Sequence, residues 1–371
     1  IEDGLSQGTV TRVTQDPAGF IWVATESGLN RYDGSTVERF VYDRGAPGGL
    51  NNDYIWDIEI DTQGDLWLAT DGGGVARFDQ QTAQFTHYRF DADDANSLSS
   101  DAVRSLDIDS RGAVWVGTRD AGLNRIDVAA GGVERFDHPN PAIAIPTTAT
   151  VFDIIEAAGG TQWFATSAGL YARETGSRAM RRWVNDADDP TSLSDNTVIA
   201  VHETSDGVIW AGTYEGGLNA IDRESGTLRR YRADADNPGA LANDYVRDIL
   251  EDSDGRLWVA TAGGLILLDR NAKRFTTYAN RRDDARSLGS SYVMTLFQDQ
   301  GGVLWVGTRG AGVAAWNPRS WTLGLHSMSD LADSVIVAFA ADGRGHVWIG
   351  PLGQGRQRLT PETGAPPPAS A

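Results

Sequence analysis

Asp109-Ser-Arg-Gly-Ala-Val-Trp-Val-Gly-Thr118, followed by Gly122-Leu-Asn-Arg-Ile-Asp127, is the stretch whose reading decides the fold. Asp-x-x-Gly is turn chemistry: Asp caps its own backbone, and Gly takes the positive φ that a tight hairpin needs. The tryptophan segment, rich in large and β-branched residues, reads as a strand. An apolar stretch from Val103 precedes the turn, Gly-Leu opens a third strand, and a terminal aromatic such as Phe136 marks a fourth. The phrase returns around Trp22, Trp67, Trp115, Trp163, Trp210, Trp258, Trp305 and Trp348, at intervals of 45, 48, 48, 47, 48, 47 and 43 residues. A period in the forties with four short strands per unit is that of a β-propeller, one blade per repeat. The expectation is therefore an all-β chain of four-stranded antiparallel blades over residues 1–360, with a Pro- and Ala-rich tail or linker at 361–371.

Departures from the repeat carry information too. The turn Asp is replaced at Ala157 and Thr204, although the glycines (Gly160, Gly207) remain. The seventh unit ends Gly312-Val-Ala-Ala-Trp-Asn, and the eighth has Pro351 where the others have Thr. Eight repeats admit two arrangements: a seven-bladed ring plus an extra repeat, or an eight-bladed ring, and an orphan blade would leave an apolar face uncovered. The repeated tryptophans are expected to pack between blades, each burying roughly 150–250 Å². Trp56, Trp183, Trp316 and Trp321 stand outside the phrase and are candidates for surface or channel work.

Composition removes several function classes. The absence of cysteine excludes disulfides, thiol catalysis and cysteine-based metal sites. A net charge of −19 argues against nucleic acid, whose binding is dominated by phosphate neutralisation. It weighs modestly against polyanionic glycans, although a local basic patch can overrule a global sign. No run of about 18 apolar residues is present, so no membrane segment is expected in this chain, and the chain opens in a repeat rather than in a signal segment. The connections Asp91–Ser97, Asp186–Ser192, Asp234–Gly239 and Asp283–Ser287 are acidic but lack the offsets, central Gly and distal Glu of a calcium loop. They read as solvated loops whose Asp, Asn and Ser cap turns; neither a metal nor a cofactor is implied.

Five histidines (His87, His138, His202, His326, His346) lack motif spacing, and no catalytic phrase breaks the repeat. Candidate site residues therefore come from the fold, since the innermost strands line a central channel. The second residues of those strands are Thr11, Trp56, Arg104, Phe152, Ile199, Arg247, Met294 and Val337. The third are Arg12, Asp57, Ser105, Asp153, Ala200, Asp248, Thr295 and Ala338. Arginines 12, 104 and 247 beside Asp57, Asp153 and Asp248 can make a polar ring for a sugar or carboxylate, or can pair with one another and with channel water. Tyr54, Tyr245 and Tyr292 precede these strands and are placed at the channel mouth, together with Glu26, Asp71, Arg119, Tyr214 and Arg309 after the Trp-x-x-Thr phrase. The last set varies from blade to blade, which is where a propeller carries specificity. As an enzyme, the chain would have to recruit Tyr214 with His202, or Asp57 with Asp153.

The phrase Asp-x-x-Gly-x-(Leu/Val/Ile)-Trp, the Gly-Leu-Asn-Arg stretch and the Ser-Leu-Ser lead-ins at Ser97–Ser99 and Ser192–Ser194 resemble the two-component regulator propeller repeat over roughly Gly4 to Leu359. The resemblance implies a non-catalytic, extracytoplasmic (periplasmic) sensor region of a membrane-anchored hybrid histidine kinase or diguanylate cyclase. It implies a small-molecule or oligosaccharide ligand and, as partners, neighbouring domains of the receptor or a second copy in a homodimer. Such sensors usually carry about fourteen repeats in two rings with further domains, and the seventh unit here resembles the junction between rings. A protein-interaction scaffold and a propeller polysaccharide lyase or glycosidase are the rival readings.

Overall fold

The computed structural model describes residues 4–317 apart from 46–47, 137–143, 178, 224–225, 271–273 and 285–286, together with strands at 336–341, 347–351 and 357–359. Trp321, His138, His326, His346, the turn at 342–345 and the tail at 361–371 lie outside the described residues. No helix appears among the described residues; every element is a short strand.

Each repeat folds as an antiparallel meander in sequence order. In the third the strands are Val103–Ile108, Val114–Thr118, Leu123–Asp127 and Gly132–Phe136. Six such four-stranded sheets and a seventh of three described strands form the ring. Its inner strands are Val10–Gln15, Ile55–Ile60, Val103–Ile108, Val151–Ala157, Val198–Glu203, Val246–Glu251 and Val293–Gln298. The eighth repeat supplies Ile336–Ala341, Val347–Pro351 and Gln357–Leu359, a three-stranded sheet within a second compact unit, Trp316–Pro368.

Seven blades close the ring, so the eight-bladed alternative is overturned. The seventh blade meets the first through the contacts that join the other neighbours. A Cβ on Gly307 would meet Val10 at 2.7 Å, as one on Gly117 would meet Val151 at 2.8 Å. That close approach is why the phrase carries Gly or Ala, never a larger residue, just before its Thr. The N–H of Gln300 donates to Gln15 at 2.8 Å, repeating the bonds from Ser205 to Glu251 at 2.6 Å and from Ser253 to Gln298 at 2.7 Å. Leu5, Val10, Val13, Ile21 and Val23 form one apolar cluster with Phe297, Trp305 and Val313.

The tryptophans of the seven ring blades lie in the cores between blades; Trp22 and Trp67 are fully buried. Burying an indole buries its N–H, which must find an acceptor. The turn Asp is that acceptor. Asp16, Asp61, Asp109, Asp252 and Asp299 take the indole N–H of Trp22, Trp67, Trp115, Trp258 and Trp305 at 2.7–3.1 Å. Their other oxygen accepts turn amides, as Asp109 does from Arg111 and Ala113. Thr204 replaces Asp for Trp210 at 3.2 Å, whereas Ala157 offers nothing, and the N–H of Trp163 is buried without a partner. Trp183, read as a candidate for surface work, stacks on Trp163 at 4.9 Å and packs against that core.

The phrase Thr closes the next hairpin. In all seven blades its hydroxyl donates to the carbonyl of the following strand-opening Gly, from Thr25 to Gly28 through Thr308 to Gly312, at 2.7–2.9 Å. Ala157→Asp restores the missing acceptor in the fourth blade. It is expected to raise the unfolding free energy by about 1 kcal/mol, read as a higher urea midpoint with unchanged slope; an unchanged or lower midpoint would refute this role for the turn Asp.

Candidate functional site

Every inner strand carries the same irregularity. Its first residue pairs with the phrase Thr and its third with the residue before that Thr, so the second is left over as a bulge. A bulge re-aims side chains and bends the strand. The bulged residues of the second, third, fourth and sixth blades are Trp56, Arg104, Phe152 and Arg247, and they sit just inside the channel mouth.

The residues before the inner strands and those after the phrase Thr share one end of the ring. Backbone bonds join them blade by blade: Asp71 to Tyr54 at 2.9 Å, Arg119 to Ala102 at 2.8 Å, Tyr214 to Thr197 at 2.9 Å and Arg309 to Tyr292 at 2.9 Å. Across the fifth to seventh blades this makes an aromatic arc. Tyr214 meets Tyr245 edge-on at 4.6 Å, Tyr245 meets Tyr292 at 6.0 Å, and Arg309 lies over Tyr292 at 5.3 Å. Tyr214 is 45% exposed, a large aromatic presented to solvent. Arg247 donates to the Tyr245 hydroxyl at 2.8 Å. On the other side Tyr54 packs on Trp56 at 4.5 Å, and the Arg104 guanidinium lies 3.9 Å from the Trp56 ring centroid. Tyr54 donates to Glu26 at 3.0 Å, and Arg119 pairs with Asp71 at 3.0 Å. Burial, with Glu26 beside it, raises the Tyr54 phenol above its ordinary value.

The third-position residues lie one step deeper and have partners of their own. Asp57, Asp153 and Asp248 each reach the next inner strand, accepting from the N–H of Leu106, Val201 and Leu296 at 2.8–2.9 Å. Asp57 also pairs with Arg12 at 2.9 Å. Asp57 holds the Arg12 guanidinium above its ordinary value, against the cost of burial. These residues clasp neighbouring blades, so Asp57 and Asp153 are not arranged as an acid–base pair. Nor does the fold unite Tyr214 with His202. Tyr214 stands at the mouth, while His202, four residues into its strand and so roughly 13 Å along it, accepts from the N–H of Glu251 at 3.1 Å.

Sequence reasoning missed the fifth residues of the inner strands. Strand alternation puts them on the face of the third: Glu59, Asp107 and His202 are the ionisable ones. Burial pushes Glu59 up to about 7 despite Arg12, and Asp153 up to about 7. Burial, joined by the charge of Glu59, pushes Asp107 up to about 8; its Oδ2 is buried without a partner. Period-two counting from the third position would have found this layer.

The acidic loops are closed by their own groups. Ser97 Oγ bonds to the backbone of Asp91 and Asp94, and Arg135 reaches in to the carbonyls of Asp94, Ser97 and Leu98 at 2.9–3.1 Å. Arg230 does the same at Asp189, Ser192 and Leu193. Among the described residues no group of three His, Asp or Glu is arranged to hold a metal ion.

Residues 49–72, 192–215, 240–263 and 287–310 match the model of the two-component regulator propeller. Four of its repeats are thus similar to the two-component regulator propeller repeat. The fold is shared with the extracellular domain of a hybrid two-component system of B. thetaiotaomicron, at 24% identity and TM-score 0.72, over 97% of this chain and 47% of that one. It is shared with PorZ, a surface component of the type-IX secretion system of Porphyromonas gingivalis, at 17% identity and TM-score 0.68, over 94% of this chain and 51% of that one. It is also shared with virginiamycin B lyase of Staphylococcus aureus, at 12% identity and TM-score 0.62, over 83% of this chain and 96% of that one. The chain thus spans about half the length of the first two proteins. No curated protein matches it. The propeller therefore occurs in a receptor ectodomain, a secretion component and an enzyme alike, and the fold alone does not choose between them.

The channel carboxyls make a test of this geometry. A carboxyl raised to 7–8 in the folded chain releases its proton near 4 when unfolded. Between those values the folded chain holds more protons, so its stability falls as pH rises from about 4 to about 8. Asp107→Asn removes one such group. It is expected to shrink the loss of stability between about pH 5 and about pH 8 by roughly 3–4 kcal/mol, measured from urea midpoints; an equal loss in both proteins refutes a buried, uncompensated Asp107.

Proposed function

We propose that this chain is a ligand-binding, non-catalytic sensor propeller of a membrane-anchored two-component or cyclic-dinucleotide signalling protein. Its place is the periplasmic side, and its ligand an oligosaccharide or another small molecule bound at the channel mouth. The observation that carries this reading is the contrast between frame and mouth. The Trp–Asp, Thr–Gly and inter-blade bonds recur around the ring, whereas Trp56, Tyr214, Tyr245, Tyr292, Arg104, Arg247 and Arg309 recur nowhere as a set, yet converge. Aromatic faces with a few polar groups suit a ring-shaped polar ligand. The repeat type and the likeness to a receptor ectodomain support a sensor over a scaffold.

Signalling then requires that the ligand bind two arrangements of the receptor with different affinity. Partners are the neighbouring domains or a second copy, against which the propeller changes its packing. Thermal unfolding against a panel of oligosaccharides tests the reading. A true ligand at 100 times its dissociation constant is expected to stabilise the fold by roughly 2.7 kcal/mol. Tyr245→Ala is expected to abolish that shift while His202→Ala, remote from the mouth, retains it. A shift indifferent to Tyr245→Ala removes the mouth as the site, and turnover of the sugar makes the chain an enzyme.

A further inference from the structure

Most buried or half-buried arginines of the ring face carboxylates: Arg12 faces Asp57, Arg77 Asp65, Arg223 Glu203, Arg256 Asp252 and Arg270 Glu251. Arg104 and Arg247 are different. Neither lies within 4.0 Å of a carboxylate oxygen among the described residues. Arg104 rests against Trp56 at 3.9 Å and Phe152 at 5.7 Å, rings that hold its plane but leave its N–H edges unmatched. Arg247 bonds only to a tyrosine hydroxyl, and its Nε is buried without a partner. Each occupies the bulged position of its inner strand, in the third and sixth blades of seven, on opposite sides of the mouth. Burial, with the charge of Arg247 second, lowers Arg104 to about 10. Asp57, whose charge acts on Arg104, is already held by Arg12 and the N–H of Leu106.

A chain with 51 acidic residues and net charge −19 has no shortage of carboxylates to offer these cations. Two half-buried guanidiniums left without a carboxylate at the bulged positions of one channel mouth are an unfavourable arrangement that an arriving anion relieves. Resting on the mouth as the ligand site, we propose that Arg104 and Arg247 form an anion clamp that grips the carboxylate of a ring-shaped ligand, with Trp56 and Tyr245 packing against the ring. The planar guanidinium edge matches a carboxylate with two parallel hydrogen bonds, which a neutral sugar hydroxyl does not offer. Arg309, exposed over Tyr292 and likewise without a carboxylate, adds positive potential at the rim. The ligand class is thus an acidic sugar, such as a uronate-containing oligosaccharide, and the same carboxylate chemistry could come from an aromatic acid.

The test uses the whole chain, calorimetric titration and four probes: galacturonate oligomers, galactose oligomers of equal length, benzoate, and sulfate against chloride at equal ionic strength. The acidic oligomer is expected to bind at least tenfold tighter than its neutral counterpart, an advantage lost in Arg104→Gln and in Arg247→Gln and reduced by salt. Sulfate is expected to raise the melting midpoint of the wild type but not of the double variant. Without any anion, Arg104→Gln is expected to melt no lower than the wild type, because it removes a repelled cation; that also establishes that the variant is folded. Tighter binding of benzoate than of either sugar keeps the clamp and assigns the ring to an aromatic acid. Equal binding of both oligomers, lost in Tyr245→Ala but kept in the arginine variants, overturns the clamp and leaves the mouth as the ligand site. Acidic binding untouched by Tyr245→Ala and by both arginine variants overturns clamp and mouth together. Absence of binding by every probe, with no selective effect of sulfate, overturns the clamp.

Discussion

The indole N–H sets the terms for the rest of this ring. A propeller blade is apolar on both faces, and a large flat ring fills the wedge between neighbours well, but tryptophan brings one donor into that dry space. Asp in the turn six residues earlier answers it with one oxygen and pins the turn with the other. One carboxylate therefore couples hairpin geometry to inter-blade packing. A basic side chain often completes the arrangement from the third strand or the turn: Arg31, Arg77 and Arg125 lie over Trp22, Trp67 and Trp115, and Arg256 lies over Trp258. In the fourth and fifth blades the Asp is absent, and the residues facing the indole across the strands are Ala172 and Ala220. Both carboxylate and cation are missing in these two blades, whereas in the seventh Asp299 serves Trp305 beside a third strand, Val313–Trp316, that carries no arginine.

This coupling explains what could be read from the residues in order. Trp, Asp, Gly and Thr have local, repeated duties, so spacing exposes them, and the all-β blades follow. The number of blades did not follow, because closure is a contact between Val10 and Gly307, nearly three hundred residues apart, and no repeat period encodes it. The glycine itself was visible; what it made room for was not. The channel was half legible. Counting inner-strand positions picked out the channel residues, but the bulge that separates the mouth layer from the clasp layer is a register shift, with no residue type to announce it. Asp57, Asp153 and Asp248 looked like ligand-binding groups, yet each is bonded to the next inner strand.

Deeper in the channel, acids outnumber cations, and burial raises Asp107, Glu59 and Asp153 to where they hold protons near neutral pH. The mouth has the opposite character, with cations seated on aromatic rings. The mouth thus gathers cations, beside the acids Glu26 and Asp71, whereas the layer below gathers carboxyls that burial keeps protonated near neutral pH. A carboxylate entering from the mouth meets Arg104 and Arg247 before it reaches these carboxyls, which turn against it only as rising pH removes their protons.

Layering of this kind separates stability from recognition. The clasps, indole bonds and threonine hydroxyls hold the ring with groups that are matched within it. Arg104 and Arg247 face no carboxylate among the described residues, and the aromatic rings that position them do not neutralise them. Where two cations at one channel mouth rest on aromatic rings and meet no carboxylate among the described residues, an external anion can supply the counter-charge. The surrounding −19 field would oppose a distant anion, but screening confines that field to about 8 Å at physiological ionic strength. Within that range the local charges decide, so an acidic chain can select an acidic ligand.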